Sequence, residues 1–204
     1  KDHLVKKIPL IDQANIIDMA GGTGDIAMRI IKKYREANHN FNITIADLNQ
    51  EMLETGKERF IDNNLFAENI KFAIENGEKT SFAANNFDIY TICYGIRNFA
   101  NLEKGVKEAY RILKPGGIFL CLEFNQVENQ FLQQIYDLYS MNVIPNIGGL
   151  ITGDKDSYQY FVESIRIFPN SNDFINIMEQ AGFEDSVFEK LTGGITTMYI
   201  GYKK

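Results

Sequence analysis

The residues best suited to chemistry stand in a glycine-rich segment near the start of the chain. The segment reads Asp18-Met19-Ala20-Gly21-Gly22-Thr23-Gly24-Asp25 and falls between an apolar stretch and a helical pattern. Glycines let a backbone turn tightly and approach a ligand closely, because no side chain intervenes. The helix that follows presents free N–H groups and a partial positive charge to an anion. The segment therefore predicts a loop in which Gly21 and Gly22 approach a ligand.

A carboxylate follows this loop at a spacing that suits a ribose. Asp47 ends the second strand-like segment, where it can grip the two hydroxyls of an adenosine-containing cofactor. Residues 22–27 also fit the dinucleotide pattern G-x-G-x-x-A, and a glycine turn without any ligand would explain the loop too. Three features favour S-adenosylmethionine: Asp18 before the glycines, suited to the methionine end, Asn76-Gly77-Glu78 after the third strand, suited to adenine, and a closing hairpin.

Strand-like and helix-like segments alternate, which predicts an α/β fold with a mainly parallel sheet. We predict strands at residues 15–20, 41–47, 70–74, 87–94, 118–124, 187–191 and 196–202. Helices are predicted at 25–36, 49–61, 102–113 and 171–182, with residues 114–117 forming a turn that ends the third helix. The last two strands are joined by residues 192–194 alone, so they must pair antiparallel. Residues 126–168 are aromatic-rich and contain no obvious strand.

The composition limits the classes of protein to which this chain can belong. The 204 residues are 45% hydrophobic and 24% charged, which predicts a single globular domain. The net charge of −6 argues against nucleic acid as a partner. No apolar run approaches the ~20 residues of a membrane span. Two cysteines cannot form a disulfide framework, and the two histidines stand in polar contexts, so we predict a reducing compartment and no metal site.

Several blocks together carry a family resemblance over residues 18–203. They are residues 20–27, Tyr94-Gly95-Ile96-Arg97-Asn98-Phe99, residues 111–117, 122–124, Gly153-Asp154, Asp156-Ser157-Tyr158-Gln159-Tyr160, residues 163–166 and 191–195. Through them the chain resembles the ubiquinone/menaquinone biosynthesis C-methyltransferases, which methylate a ring carbon of a polyprenylated quinol. The glycine loop and the 114–117 turn occur in many methyltransferases. The Gly-Ile-Arg-Asn and Asp-Ser-Tyr-Gln-Tyr blocks are more particular to this family.

The resemblance implies a fold and an organisation. The fold is that of a class I S-adenosylmethionine-dependent methyltransferase: Rossmann-like, with a mostly parallel seven-stranded sheet and a C-terminal antiparallel hairpin. Residues 1–204 form one domain, and the aromatic-rich insertion at about 126–168 covers the substrate. The family's N-terminal helix with its Trp is not in this chain, which contains no Trp. The residues implied to contact the cofactor are Thr23, Asp47, Asn76, Gly77 and Cys93.

The resemblance also suggests how the ring is activated. A phenol has a pKa of about 10, so its ionisation near pH 7 costs about 4 kcal/mol, and a nearby cation lowers such a pKa by ~1–3 pH units. Arg97, at the end of the fourth strand, is predicted as this cation. A water held by Asn98, or a carboxylate such as Asp154, is predicted to accept the proton. Tyr158 is predicted to face the substrate.

Residues 76–79 and 119–124 look more like the mitochondrial, ubiquinone-making branch than like bacterial members. We therefore expect a polyprenylated benzoquinol substrate and a location on the matrix side of the mitochondrial inner membrane. A demethylmenaquinol substrate and the bacterial cytoplasm are the alternatives. The resemblance further implies peripheral contact with a membrane or a quinone-biosynthesis complex, and pairing as a homodimer. An O- or N-methyltransferase, a cofactor-binding scaffold without catalysis and a dinucleotide oxidoreductase stay open as other functions.

Overall fold

One sheet forms the centre of the molecule. The computed structural model describes residues 1–125 and 155–204, with the side chains of 155–159 and 162 outside the description. The described strands are β1 (Ala14–Met19), β2 (Phe41–Asp47), β3 (Ile70–Ile74), β4 (Phe87–Cys93), β5 (Leu113–Phe124), β6 (Glu184–Leu191) and β7 (Thr196–Tyr202). Their order is β3-β2-β1-β4-β5-β7-β6. Pairing is parallel from β3 to β5, and β7 runs antiparallel to both β5 and β6. The antiparallel pairing of β6 with β7 was predicted.

Helices cover both faces of the sheet, in agreement with the near-continuous apolar strands of a parallel sheet. The described helices are α1 (Asp2–Lys7), α2 (Asp25–Glu36), α3 (Gln50–Asp62), α4 (Leu102–Ile112), α5 (Lys155–Ile167) and α6 (Ser171–Ala181). Buried side chains of α1, α2 and α3 form one core cluster with the sheet. Those of α4 and α6 form the other, on the opposite face.

The structure differs from the prediction in three places. The α1 helix was not predicted, and α5 occupies the end of the aromatic-rich stretch, of which residues 126–154 lie outside the described residues. The predicted turn at residues 114–117 is wrong, because β5 already begins at Leu113, which pairs with Phe87. The register then shifts between Phe87, which pairs with Leu113, and Ile89, which pairs with Ile118. The Pro-Gly-Gly segment therefore lies in an irregular part of β5.

The strand order creates the place for a site. From β1 the chain builds outward through β2 and β3, and then returns to pair β4 against the other side of β1. The connections after β1 and β4 therefore leave on opposite faces of the sheet. In open α/β sheets this reversal forms a crevice at the carboxyl ends of the strands, where ligands bind.

Candidate active site

The glycine loop after β1 is fastened to the end of β2. The Gly22 backbone N–H donates to Asp47 Oδ2 at 2.9 Å, and the Gly21 N–H donates to the Ala46 carbonyl at 3.1 Å. The other Asp47 oxygen accepts from the Asn49 N–H, at the start of α3. Each carboxylate oxygen has a second lone pair. Asp47 can therefore hold the loop and still accept hydrogen bonds from a ribose.

Asp18 lies beneath this loop and is 1% exposed. Its Oδ1 accepts from Thr91 Oγ1 at 2.8 Å, whereas its Oδ2 has no hydrogen-bond partner among the described residues. Oδ2 is directed at the loop, 3.1 Å from the point where a Gly21 side chain would begin. Burial raises the pKa of Asp18 to about 7, against the smaller opposing effect of the Thr91 hydrogen bond. A cationic group bound above the loop would lower this pKa and favour the carboxylate.

Thr23 is held by a residue that the sequence analysis did not identify. Arg59 of α3 donates from Nη1 to Thr23 Oγ1 at 2.6 Å and to the Thr23 carbonyl at 3.3 Å. The guanidinium therefore fixes the orientation of the hydroxyl that the family resemblance assigns to the cofactor. Nothing in the sequence distinguishes Arg59 from the other charged residues of α3.

The loop after β3 is joined to the loop after β4. The Asn76 Oδ1 accepts from the Glu78 N–H at 2.9 Å, which closes a tight turn. The Glu78 carboxylate accepts from the Ala100 and Asn101 N–H groups at 2.7 and 3.1 Å. Gly77 allows the Phe99 ring to pack against the turn, because a Cβ there would lie 2.4 Å from Phe99 Cζ. The predicted adenine-side residues are thus anchored to the segment that carries Arg97 and Asn98.

The end of β4 meets the glycine loop directly. A Cβ at Gly95 would lie 2.4 Å from Ala20 Cβ, so only glycine allows the two loops to approach this closely. Cys93, the last residue of β4, is mostly enclosed, and burial raises its pKa to about 12. It is therefore a neutral thiol, suited to contact and not to nucleophilic chemistry. The Tyr94 ring stacks on Phe124 with 4.4 Å between centroids.

Arg97 lies just after β4, in a 3₁₀ helix formed by Ile96–Asn98, and is paired with a buried carboxylate. Its Nη1 donates to Glu123 Oε1 at 2.7 Å and to the Tyr94 carbonyl at 2.6 Å. Its Nε donates to Ser164 Oγ of α5 at 3.3 Å. The guanidinium carbon lies 5.4 and 5.3 Å from the ring centroids of Phe124 and Phe161. The cation predicted at Arg97 is therefore part of an ion pair, and three of its five side-chain N–H donors are in use.

A cleft of about 420 Å³ opens beside this pair. The side chains around it are mostly apolar, with Arg97, Asn98, Tyr160, Glu163 and Ser164 among them. The Tyr160 hydroxyl donates to Asn98 Oδ1 at 3.3 Å, which links the 3₁₀ helix to α5. Asp154 and the side chain of Tyr158, both predicted to contact the substrate, lie outside the described residues. Phe168, from the predicted aromatic cover, packs in the core against Phe174.

Comparison with known proteins places this site in a family. A sequence model of the ubiE/COQ5 methyltransferase family matches residues 1–203. The chain belongs to this family. It is 46% identical over 203 residues to the "Ubiquinone/menaquinone biosynthesis C-methyltransferase UbiE" of Rickettsia bellii, covering 100% of this chain and 81% of that protein. It is 45% identical over 203 residues to the protein of the same name from Rickettsia prowazekii, with the same coverage.

Solved structures show the same fold for this methyltransferase. A crystal structure of a SAM-dependent methyltransferase from Aquifex aeolicus superposes with a TM-score of 0.70 at 14% identity, covering 100% of this chain and 89% of that one. The predictions of the family, of the class I fold and of a methyltransferase that uses S-adenosylmethionine are confirmed. The prediction of the mitochondrial branch is not supported by these relatives, which are bacterial.

The residues of this methyltransferase fit the cofactor. Asp47 offers free lone pairs for the ribose, and the buried Asp18 Oδ2 leaves an acceptor beneath the loop, where a cationic amino group would complement it. Asn76 and Gly77 stand after β3, and Cys93 ends β4, at the same edge of the sheet. The structure brings Gly21, Gly22, Thr23, Asp47 and Cys93 to the crevice between β1, β2 and β4. Their individual contacts with the cofactor remain predictions.

Glu123 is a residue of the site to which the sequence alone assigned no role. A signal was present, because Glu123 is the one charged residue in the apolar run from Phe119 to Phe124. A carboxylate in a buried strand requires a partner that compensates its charge. Glu123 is therefore a candidate for a buried ion pair.

Proposed function

We propose that this methyltransferase transfers the methyl group of S-adenosylmethionine to a ring carbon of a polyprenylated benzoquinol. Demethylmenaquinol is the second candidate acceptor, since the names of the relatives cover both ubiquinone and menaquinone synthesis. The observation that carries the proposal is the position of Arg97. It follows β4 beside the glycine loop and is one of the residues that line a mostly apolar cleft. Its Nε and Nη1 are hydrogen-bonded, whereas no described residue accepts a hydrogen bond from its Nη2.

The chemistry divides between the cofactor and the protein. When bound, S-adenosylmethionine supplies an electrophilic methyl group on a positively charged sulfur. The protein must hold the acceptor ring beside that group and increase the electron density of the ring carbon. Arg97 Nη2 can donate a hydrogen bond to a ring hydroxyl or to its oxyanion, which strengthens as the hydroxyl loses its proton. Apolar residues of the cleft, among them Phe99, Leu102 and Ile167, offer a surface for an isoprenoid tail.

A proton acceptor is also required. Asn98 Oδ1 accepts from Tyr160 and is exposed, so it can hold a water next to the cleft. This water is our candidate for the group that takes the hydroxyl proton. Arg97 cannot take it, because a guanidinium is not deprotonated in proteins. Asp154 and Tyr158 stay proposed substrate contacts.

Location and partners are part of the proposal. Within the described parts of the chain, each helix is too short or too polar to cross a membrane. The relatives come from Rickettsia species, which supports the bacterial cytoplasm over the mitochondrial matrix as the location. A lipid-tailed acceptor implies peripheral contact with a membrane or with a quinone-biosynthesis complex. Pairing as a homodimer is proposed from the family resemblance.

The test is methyl transfer from labelled S-adenosylmethionine to benzoquinol and naphthoquinol analogues, with phenol and amine acceptors in parallel. We expect a labelled C-methyl product, with benzoquinol preferred. Label on oxygen or nitrogen would support the other methyltransferase classes. Cofactor binding without transfer to any quinol would support the scaffold function. Calorimetry with S-adenosylhomocysteine and NAD checks the cofactor class independently, and binding of NAD alone would contradict the proposal.

A further inference from the structure

The contacts of Glu123 define its charge state. Its side chain is 0% exposed, and burial raises its pKa. Arg97 Nη1 and the Phe124 N–H donate to Oε1 at 2.7 and 2.8 Å, and the Arg97 N–H donates to Oε2 at 3.3 Å. All three contacts are donors, whereas a protonated carboxyl group would have to donate a hydrogen bond itself. The arrangement therefore favours an ionised Glu123 paired with Arg97.

The groups around this pair add little charge. The titratable groups near Glu123 on β4, β5, β7 and the loop after β4 are two thiols and two phenols, those of Cys93, Cys121, Tyr94 and Tyr199. Burial raises the pKa of each, so all four are neutral. Charged side chains are also present nearby. Lys1 is 6.0 Å from the centroid of the Tyr94 ring, the charges of Lys1 and Asp18 act on Cys93, and Glu163 of α5 lines the same cleft as Arg97. Glu123 is the carboxylate that accepts directly from the Arg97 guanidinium, so it determines the net charge of the pair.

The same contacts fix the direction of the guanidinium. Nη1 is held by Glu123 and the Tyr94 carbonyl, and Nε is held by Ser164. The rings of Phe124 and Phe161 lie near the guanidinium carbon and restrict its movement. The nitrogen left over among the described contacts is Nη2. The two N–H groups of Nη2 are therefore the side-chain donors of Arg97 that its described contacts leave available, and the held Nη1 and Nε fix their orientation.

We propose that Glu123 is a positioning residue for methyl transfer: it holds Arg97 as an ion pair without net charge, so that Arg97 acts on the acceptor as an oriented hydrogen-bond donor and not as a free cation. This inference rests on the proposed function. It assigns the acidification of the ring hydroxyl mainly to the hydrogen bond and to the proton acceptor. Removing the charge of Glu123 would release a full positive charge toward the acceptor hydroxyl.

The variant Glu123→Gln tests this directly. The amide oxygen of the glutamine can keep both contacts of Oε1. The substitution therefore removes the negative charge and otherwise alters only the longer contact of Oε2 with the Arg97 N–H. We expect the rise of kcat with pH, which follows ionisation of the acceptor, to move to lower pH by about one unit, because an unpaired cation favours the anionic ring. Cofactor affinity should stay unchanged. The matched control is Asp88→Asn, which removes a carboxylate paired with Lys114 at 2.7 Å at the opposite end of β4.

A second variant keeps the test decisive if Glu123→Gln folds poorly. Glu123→Asp retains the charge and shortens the side chain, so kcat should fall at least tenfold while the midpoint of the pH profile stays in place. A midpoint that is unmoved in Glu123→Gln, with kcat lowered by one factor at every pH, would overturn the proposal. So would a midpoint that shifts equally in Asp88→Asn or shifts in Glu123→Asp.

A readout without turnover separates this inference from the proposed function. The probe is a nitrophenol analogue of the acceptor ring, whose ionised form is coloured, titrated in the complex with S-adenosylhomocysteine. Its pKa should be lower on Glu123→Gln than on the wild type. Equal values on both proteins would contradict the role of Glu123. Wild-type protein that transfers no methyl to any quinol would contradict the proposed function instead.

Discussion

The carboxylate of Asp47 accepts a hydrogen bond from the backbone N–H of Gly22 at 2.9 Å. This contact joins the ends of β1 and β2, so the loop and the ribose-binding acid are one unit and not two separate features. A change at Asp47 therefore acts on a cofactor in two ways, through its own contact and through the loop that it holds.

Replacing Asp47 by Asn should weaken cofactor binding by about tenfold to 100-fold, since hydrogen bonds to a charged group contribute about 1.5–3 kcal/mol. Calorimetry with S-adenosylhomocysteine measures the effect. The matched control is Asp12→Asn, because Asp12 also accepts from the backbone N–H of a neighbouring loop residue, Asn40, but at the amino edge of the sheet. Equal affinity of both variants would exclude Asp47 from the site.

Arg97→Ala should still bind S-adenosylhomocysteine and lose at least 100-fold in methyl transfer, in line with the loss of an oriented catalytic donor. It should also be less stable by about 3–5 kcal/mol, because Glu123 is left buried without its cation. Denaturant unfolding measures the stability. The double variant Arg97→Met with Glu123→Gln removes both charges, so it should regain most of the stability and none of the activity. Normal turnover in either protein would remove Arg97 from the reaction.

Asp18 should make the stability of the ligand-free protein depend on pH. Its pKa is raised from 3.8 to about 7 in the folded state, so the folded protein binds the proton more tightly than the unfolded chain. Stability contributed by this group is therefore present below about pH 4 and is lost as the pH rises toward 7. Asp18→Asn should be more stable than the wild type at pH 8 and lose this advantage at pH 4. Unfolding curves at both pH values measure it, and a difference independent of pH would refute the assignment.

Gly77→Ala should disturb the link between the predicted adenine turn and the segment that carries Arg97. The new methyl group would meet the Phe99 ring at 2.4 Å, and such overpacking costs about 1–3 kcal/mol. We expect a raised KM for S-adenosylmethionine together with a lowered kcat. Gly116→Ala serves as the control, because its site has a positive φ but no neighbour within 4 Å, and it lies at the far edge of the sheet. Unchanged kinetics for Gly77→Ala would show that the two loops act independently.

Local patterns were sufficient to predict most of the sheet. Apolar runs ending in glycine or aspartate gave β1 and β2 within a residue, and the short 192–194 link forced the antiparallel pairing of β6 with β7. The beginning of β5 was missed because Pro115 and Gly116 read as a turn. Whether such residues are tolerated in a strand depends on its partner, here Phe87 opposite Leu113, which no local window contains.

The site was predicted less completely, for a similar reason. Asp18 and Asp47 lie in the last residues of β1 and β2, and Arg97 follows β4, so their placement at one edge could be inferred from the order of the elements. The pairing of Arg97 with Glu123 could not, since it joins residues 26 positions apart, one in the 3₁₀ helix after β4 and the other in β5. The same holds for Arg59 and Thr23, which are 36 positions apart. Such contacts determine the net charge and the orientation of the functional groups, and they arise from tertiary packing alone.

The position of β7 between β5 and β6 has a consequence for synthesis on the ribosome. The edge strand β6 is made first but pairs with the sheet only through β7, so it stays unpaired while the ribosome completes the following residues. During that interval β5 also presents an open hydrogen-bonding edge. We expect nascent chains stalled before residue 196 to be protease-sensitive in this region and to be recognised by chaperones, because exposed strand edges invite aggregation.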